Sequence, residues 1–277
     1  MSIKEENLAR LLALAGAAFL LVFCLAPVAY MLAVGLAENP LFLSPRIPFV
    51  PTSAHFREAL APSLHVPAYL RNSLIISAAT ALLAPAAAFL AAYPLARMPL
   101  RGRSYVLLGA LALSMFPPIS LAGYLYRMMS GLGWINTYPA LVLPYAAWLL
   151  PLCLWFLVGY LASIPPALDR AAQVDGCTPF QILRKVLLPL AKPGLASAAL
   201  LAFIFAFNEF LFALLLTVDH QSRTIPVGVA LFQGLHGQIP WGALMAVSAL
   251  AALPVVAVAL IFQHHVVRGL TGGAVKG

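Results

Sequence analysis

The chain has 277 residues, of which 63% are hydrophobic and only 9% charged, and its formal net charge is +8. A soluble globular domain carries about a quarter charged residues, so this composition excludes one and points to an integral membrane protein. The basic excess requires no nucleic-acid partner, because topology and contact with the anionic headgroups of a lipid bilayer account for it.

A membrane-spanning helix needs about 20 mostly apolar residues, since about 30 Å of hydrocarbon is crossed at 1.5 Å per residue. Taken along the chain, the apolar runs predict spans at 11–37, 72–96, 104–126, 140–162, 193–217 and 242–263, all free of charged residues except the fifth. The first run is too long for the apolar region of a signal peptide and is read as a retained helix. Between the first two spans lies the longest loop, 38–72, with six prolines and one helical patch at 55–60. It reads as an extended cap rather than a domain.

Six spans put both termini on one side. With the N-terminus inside, eleven Lys and Arg fall in cytoplasmic segments against five outside, so both termini are expected in the cytoplasm. Small residues are dense in the spans, as close helix packing in a bilayer requires. Pro27, Pro85, Pro144, Pro151 and Pro254 lie within them as packing kinks or hinges. No internal repeat or linker divides the chain, and residues 1–277 read as one membrane domain.

The cytoplasmic loop 163–192 breaks the apolar pattern with RAAQVDGCTPFQILRKVLLPL. Pro165 and Pro166 suit the first turn of a short helix over ALDRAAQV. Gly176 suits its left-handed C-terminal cap. Thr178, Pro179 and Gln181 then spell a capping box for a second helix, which Pro189 and Pro193 are expected to end. On the first helix Leu168, Ala171, Ala172 and Asp175 share one face. Two readings of this corner stay open on physics alone: a docking surface, or an amphipathic connector lying on the bilayer.

The same stretch resembles the signature loop of ABC-importer permeases. In that family Glu-Ala-Ala, three residues, Gly, nine residues and an aliphatic-x-Leu-Pro ending recur. Ala171 and Ala172 fill the alanines, Asp175 and Gly176 the Asp-Gly, Val186 the aliphatic, and Leu188 and Pro189 the ending. Arg170 stands where the family has Glu, with Asp169 one residue earlier. YLRNSLIIS, GLGWINTYPALVLPY, FAFNEFLFALLLT, TIPVGV, WGALMAVSALAALPV and GLTGGAVKG narrow the likeness to the second permease of carbohydrate importers, the maltose-transporter type.

That resemblance implies an all-α integral membrane protein with six transmembrane helices of the type I ABC importer permease fold, in a bacterial or archaeal cytoplasmic (inner) membrane. It implies four partners in kind: a different second permease forming a heterodimer, two ATP-binding subunits, and an extracytoplasmic sugar-binding protein. The ATPase-docking loop would comprise Asp169, Arg170, Ala171, Ala172, Asp175, Gly176, Phe180 and Pro189. The tail 264–277, through Gly269, Leu270, Thr271, Gly272 and Gly273, would reach between the ATPases. Gln233, Gly234, Leu235, His236 and Gly237 would meet the binding protein. ATP and Mg would be bound by the ATPase subunits, with no cofactor in this chain; the sequence contains no GxxxxGK[ST] run.

Glu209 is the only acid inside an expected span, and a carboxylate at membrane depth is a functional hypothesis by default. With Asn208 it forms a pathway or gate candidate, an interhelical hydrogen bond being the other reading. An ion-coupled secondary transporter working through Glu209 is the rival function, though such a transporter would not need the cytoplasmic corner. HExxH and GxSxG are absent, so an intramembrane enzyme finds no support. Cys24, Cys153 and Cys177 have no CxxC spacing and read as packing residues. His264 and His265 lack a metal partner set.

Overall fold

The computed structural model describes residues 3–39, 48–235 and 240–271. In chain order the helices are α1 (Ile3–Leu36), α2 (Ala54–Ala59), α3 (Val66–Arg97), α4 (Arg103–Ser114), α5 (Ala122–Gly131) and α6 (Pro139–Ser163). There follow α7 (Ala167–Val174), α8 (Pro179–Gln181), α9 (Leu188–Phe207), α10 (Leu211–Leu216), α11 (Ile225–Leu235) and α12 (Trp241–Thr271). Among the described residues the only β pairing is an isolated bridge between Ala37 and Pro51. An all-helical chain is what the bilayer demands, because a helix satisfies its own backbone donors and acceptors.

Five helical stretches are long and apolar enough to cross a membrane: 7–36, 66–97, 139–163, 179–207 and 241–263. The sixth is a bent pair. Where one straight helix is expected over 104–126, the chain turns by 84° between α4 and the segment 118–131. Pro117 and Pro118 are the cause: both lack the N–H that would continue the α4 ladder, and each forces the residue before it away from helical backbone. The prolines inside α1, α3, α6 and α12, by contrast, leave those helices continuous.

The chain forms two compact units, residues 1–67 with 229–253, and residues 68–228 with 254–277. In the first, the N-terminal part of α1 is exposed along its length, as a lipid-facing helix is. Its end is pinned by the Ala37–Pro51 bridge and by His55, whose ring meets the Ala37 carbonyl at 3.2 Å. Gly35 lets α1 approach Ala246 closely; a Cβ there would stand 3.3 Å from the Ala246 backbone nitrogen.

The second unit is built on α3, α6 and α9. Ala84, Ala88 and Ala92 of α3, Leu157 and Leu161 of α6, and Ala191, Ala198 and Ala202 of α9 are buried. Small side chains bring backbones together where the hydrophobic effect offers no gain between helices in lipid. Gly194 is the limiting case, since a Cβ on it would lie 2.5 Å from the Tyr160 ring.

The helix following the corner at Gly176 differs from expectation. Pro189 and Pro193 do not end it: helix runs from Pro179 to Phe207 through a π-helical stretch, Ile182–Leu187. The wider π turn loosens the backbone directly before Pro189, where a normal α turn would clash with the ring and miss its donor. The break comes instead at residues 208–210, so the expected span 193–217 is two pieces, α9 and α10.

Candidate functional site

The corner between α7 and α8 is built as its residue types require. Val174 ends α7, Asp175 caps it, and Gly176 takes the left-handed conformation at φ +79°. The Cys177 N–H donates to the Ala172 carbonyl at 2.9 Å and the Gly176 N–H to Gln173 at 3.0 Å. These two bonds make a Schellman motif, which satisfies the last carbonyls of the helix. Across the corner the Thr178 hydroxyl accepts from the Gln181 N–H, and the Gln181 side chain accepts from the Thr178 N–H at 2.8 Å. Pro165 and Pro166 precede α7 rather than occupying its first turn.

Exposure sorts the expected docking residues into two sets. Arg170, Ala171, Asp175, Gly176, Phe180 and Pro189 are exposed, and Val174, at 87% exposure, is the most open large hydrophobic side chain of the corner. Ala172 and Asp169 are buried. The expected common face therefore splits: Leu168, Ala171 and Asp175 look outward, whereas Ala172 packs into the protein, because an eight-residue helix resting on the bundle must bury some of its own surface. Asp169 is held by Arg97, with Oδ2 2.8 Å from Nε. Sequence reasoning missed Arg97; the signal was the basic residue closing an apolar helix, opposite an acid that has no other counter-charge.

At the other end of this unit a polar clamp holds the loop between α10 and α11. Asn136, itself at φ +65°, donates from Nδ2 to Asp219 Oδ1 at 2.9 Å. Its Oδ1 accepts from the Val218 N–H and the Ser222 hydroxyl, at 3.0 and 2.7 Å. Hydrogen bonding to Asn136, and then to the Gln221 N–H, pulls the Asp219 carboxyl below the ordinary Asp range. Asn72, fully buried, donates to the carbonyls of His220 and Arg223, both at 3.0 Å. Ser73 accepts from the Ile225 N–H at 2.8 Å, which fixes the start of α11.

Glu209 sits in the break between α9 and α10, and its carboxylate accepts from the Phe212 N–H at 2.9 Å and the Ala213 N–H at 3.2 Å. It thereby caps α10, where unpaired backbone N–H groups attract an anion. Asn208 ends α9 and donates to the Ile204 carbonyl at 2.8 Å. A cavity of about 770 Å³ lies in the bend between α4 and α5, with Tyr124, Trp134 and Trp148 in its wall. Its lining is almost wholly apolar.

Of the residues expected to meet the binding protein, Gln233, Gly234 and Leu235 end α11, and His236 and Gly237 lie outside the described residues. Gly269, Leu270 and Thr271 close α12, and Gly272 and Gly273 lie outside the described residues. No group of three His, Cys, Asp or Glu capable of holding a metal occurs among the described residues.

The family model for the binding-protein-dependent transport system inner membrane component matches residues 73–272. The chain belongs to this family. The match takes in the corner, the Arg97–Asp169 pair, the Asn136 clamp and Glu209, so each is part of a multi-pass inner-membrane permease component. The permease is 49% identical, over 99% of both chains, to the trehalose/maltose transport system permease protein MalG of Thermococcus litoralis. It is 42% identical to the trehalose transport system permease protein SugB of Mycobacterium tuberculosis, over 75% of this chain and 76% of the relative. A chain in the crystal structure of a bacterial ABC transporter that imports alginate matches it with a TM-score of 0.73 at 20% identity, covering 95% of this chain and 98% of the other. The permease thus has an ABC-importer permease fold.

Proposed function

We propose that the chain is the permease subunit of an ATP-driven, binding-protein-dependent importer of a sugar of the trehalose and maltose class, and that it converts closure of separate ATPase subunits into alternating access. The substrate class is supported by the 49% identity over nearly the full length with the Thermococcus litoralis trehalose/maltose permease. The energy source is supported by the helical corner. Val174 and Phe180, at 87% and 65% exposure, present apolar side chains at a rigid, doubly capped turn, and such a surface is explained by a protein partner.

In this reading ATP and Mg are bound by the two ATPase subunits, whose closure pushes on the corner. A different second permease completes the pathway, the sugar-binding protein delivers cargo on the outer side, and both termini of this chain lie in the cytoplasm. The clamp at Asn136 and Asn72 would then hold the outer loop 217–225 in register. The ion-coupled reading has less support, because the Glu209 carboxylate is engaged by two backbone N–H groups and serves as a helix cap.

The test is to purify the chain with its second permease, ATPase and binding protein, reconstitute them in liposomes, and measure ATP hydrolysis across a panel of disaccharides. Stimulation by binding protein loaded with a glucosyl disaccharide is the expected result. Uptake by this chain alone in ATP-free liposomes would overturn the proposal.

A further inference from the structure

One guanidinium joins three helix ends in the second unit. Arg97 is the last residue of α3; its Nε lies 2.8 Å from Asp169 Oδ2, in the first turn of α7, and its Nη2 donates at 2.9 Å to the carbonyl of Ile164, one residue past α6. The two side chains are 7% and 12% exposed. Each charge suits its helix end, a cation at a C-terminus and an anion at an N-terminus.

Stability is a poor reason for such a pair. Desolvating two charges offsets most of their attraction, and here Arg97 Nε and Asp169 Oδ1 are both buried with no hydrogen-bond partner, so the pair is a close contact of charges that is not fully satisfied. What it supplies is position. α7 has eight residues, too few to hold a helix or its orientation alone, and Asp169 and Ala172 are its only buried side chains. A buried methyl resists sliding weakly; two opposite charges in contact away from water resist separation more strongly, and the Nη2 bond to Ile164 adds direction. On its other side α7 leads into the Gly176 corner, where nothing stands within 4 Å of a Cβ position.

We propose that Arg97 and Asp169 are positioning residues that make α7 move as one body with the ends of α3 and α6, so that a push on the corner tilts membrane-long helices instead of swivelling a loose eight-residue helix. This rests on the functional reading above. It also removes Asp169 from the docking surface, leaving Arg170 as the exposed charge of that turn.

The test uses the complete complex of both permeases, ATPases and binding protein in liposomes, with sugar imported per ATP hydrolysed as the readout. Arg97→Gln and Asp169→Asn are each expected to lower that ratio about fivefold, within the range by which packed networks modulate coupling. Arg97→Lys, which keeps the charge, should retain most of it. The double variant Arg97→Gln/Asp169→Asn should be no worse than the poorer single, because the two residues act as one device. Single variants that couple like the wild type overturn the proposal, as do losses that multiply in the double variant. Should the single variants fail to assemble, the double decides: assembly with reduced coupling supports the proposal, whereas full coupling, or no assembly, overturns it. A wild-type complex whose hydrolysis ignores the binding protein would instead defeat the functional reading itself.

Discussion

Tyr138 donates its hydroxyl to Asn72 in the loop clamp, with the tyrosine oxygen 2.7 Å from Asn72 Oδ1. The amide of Asn72 spends both its protons on the carbonyls of His220 and Arg223, so one buried side chain satisfies three groups from two other segments. Asn72→Leu removes the partner of all three and is expected to cost about 2–4 kcal/mol, less than three full penalties of about 1–3 kcal/mol because His220 is exposed and water can replace part of what is lost. Tyr138→Phe removes one bond and should cost about 1 kcal/mol. Thermal unfolding of the purified chain in detergent checks the order, and equal losses for the two variants would show that Asn72 does not carry the clamp.

Asp219 makes the same clamp dependent on pH. Its carboxyl is held below the ordinary Asp value by Asn136 and the Gln221 N–H, so the folded state binds its proton less readily than the unfolded chain. The stabilisation is therefore fully present above the unfolded value and is lost as pH falls through the lower, folded one. The group is open to water and the effect is small. Melting curves between neutral pH and about pH 3 should show a decline that Asp219→Asn flattens, with the variant less stable than the wild type at neutral pH.

Gly194 and Tyr160 test the packing of α9 on α6. A Cβ at Gly194 would meet the ring at its attached carbon, 2.5 Å away, which is the part of the side chain least able to move. Gly194→Val is expected to destabilise by about 1–3 kcal/mol through overpacking. Tyr160→Ala should relieve most of that cost, so the double variant unfolds at a higher temperature than Gly194→Val alone. Additive losses would mean that the close approach is not what limits this interface.

The Glu209 cap separates the two transport readings. Glu209→Ala leaves the first N–H groups of α10 unmet and should cost about 1–2 kcal/mol. Glu209→Gln keeps an acceptor but cannot carry a proton, so uptake by the complete complex should stay close to wild type and remain indifferent to an imposed pH gradient. Loss of uptake in Glu209→Gln with normal assembly would revive the ion-coupled mechanism.

The residues legible in advance were those whose role is local. Gly176, Thr178 and Gln181 announce a cap by type and spacing, and the structure contains it bond for bond. Charge-free runs locate helices because the bilayer asks for little else. What stayed hidden depends on residues far apart in the chain: Arg97 with Asp169, Asn136 with Asp219, and Asn72 with the carbonyls of His220 and Arg223. No periodicity encodes such pairs. Pro189 and Pro193 misled for the opposite reason, since their local rule was overridden by a π-helical turn ahead of Pro189.

Gly176 supplies the sharpest test of the corner as a docking site. Its φ of +79° is open to glycine and strained for a β-branched residue, whereas no atom stands within 4 Å of where a Cβ would go. Gly176→Val therefore acts through the backbone alone, at a cost of roughly 1–2 kcal/mol that the turn escapes by reshaping. The spans should still insert, because Gly176 lies outside all of them. Gly176→Asn, which tolerates the left-handed region, should be milder. With the complex reconstituted in liposomes, Gly176→Val is expected to release the ATPase or to let it hydrolyse ATP without matching uptake, and Gly176→Asn to retain most coupling. Normal assembly and uptake in Gly176→Val would mean that the corner merely connects two helices at the membrane surface.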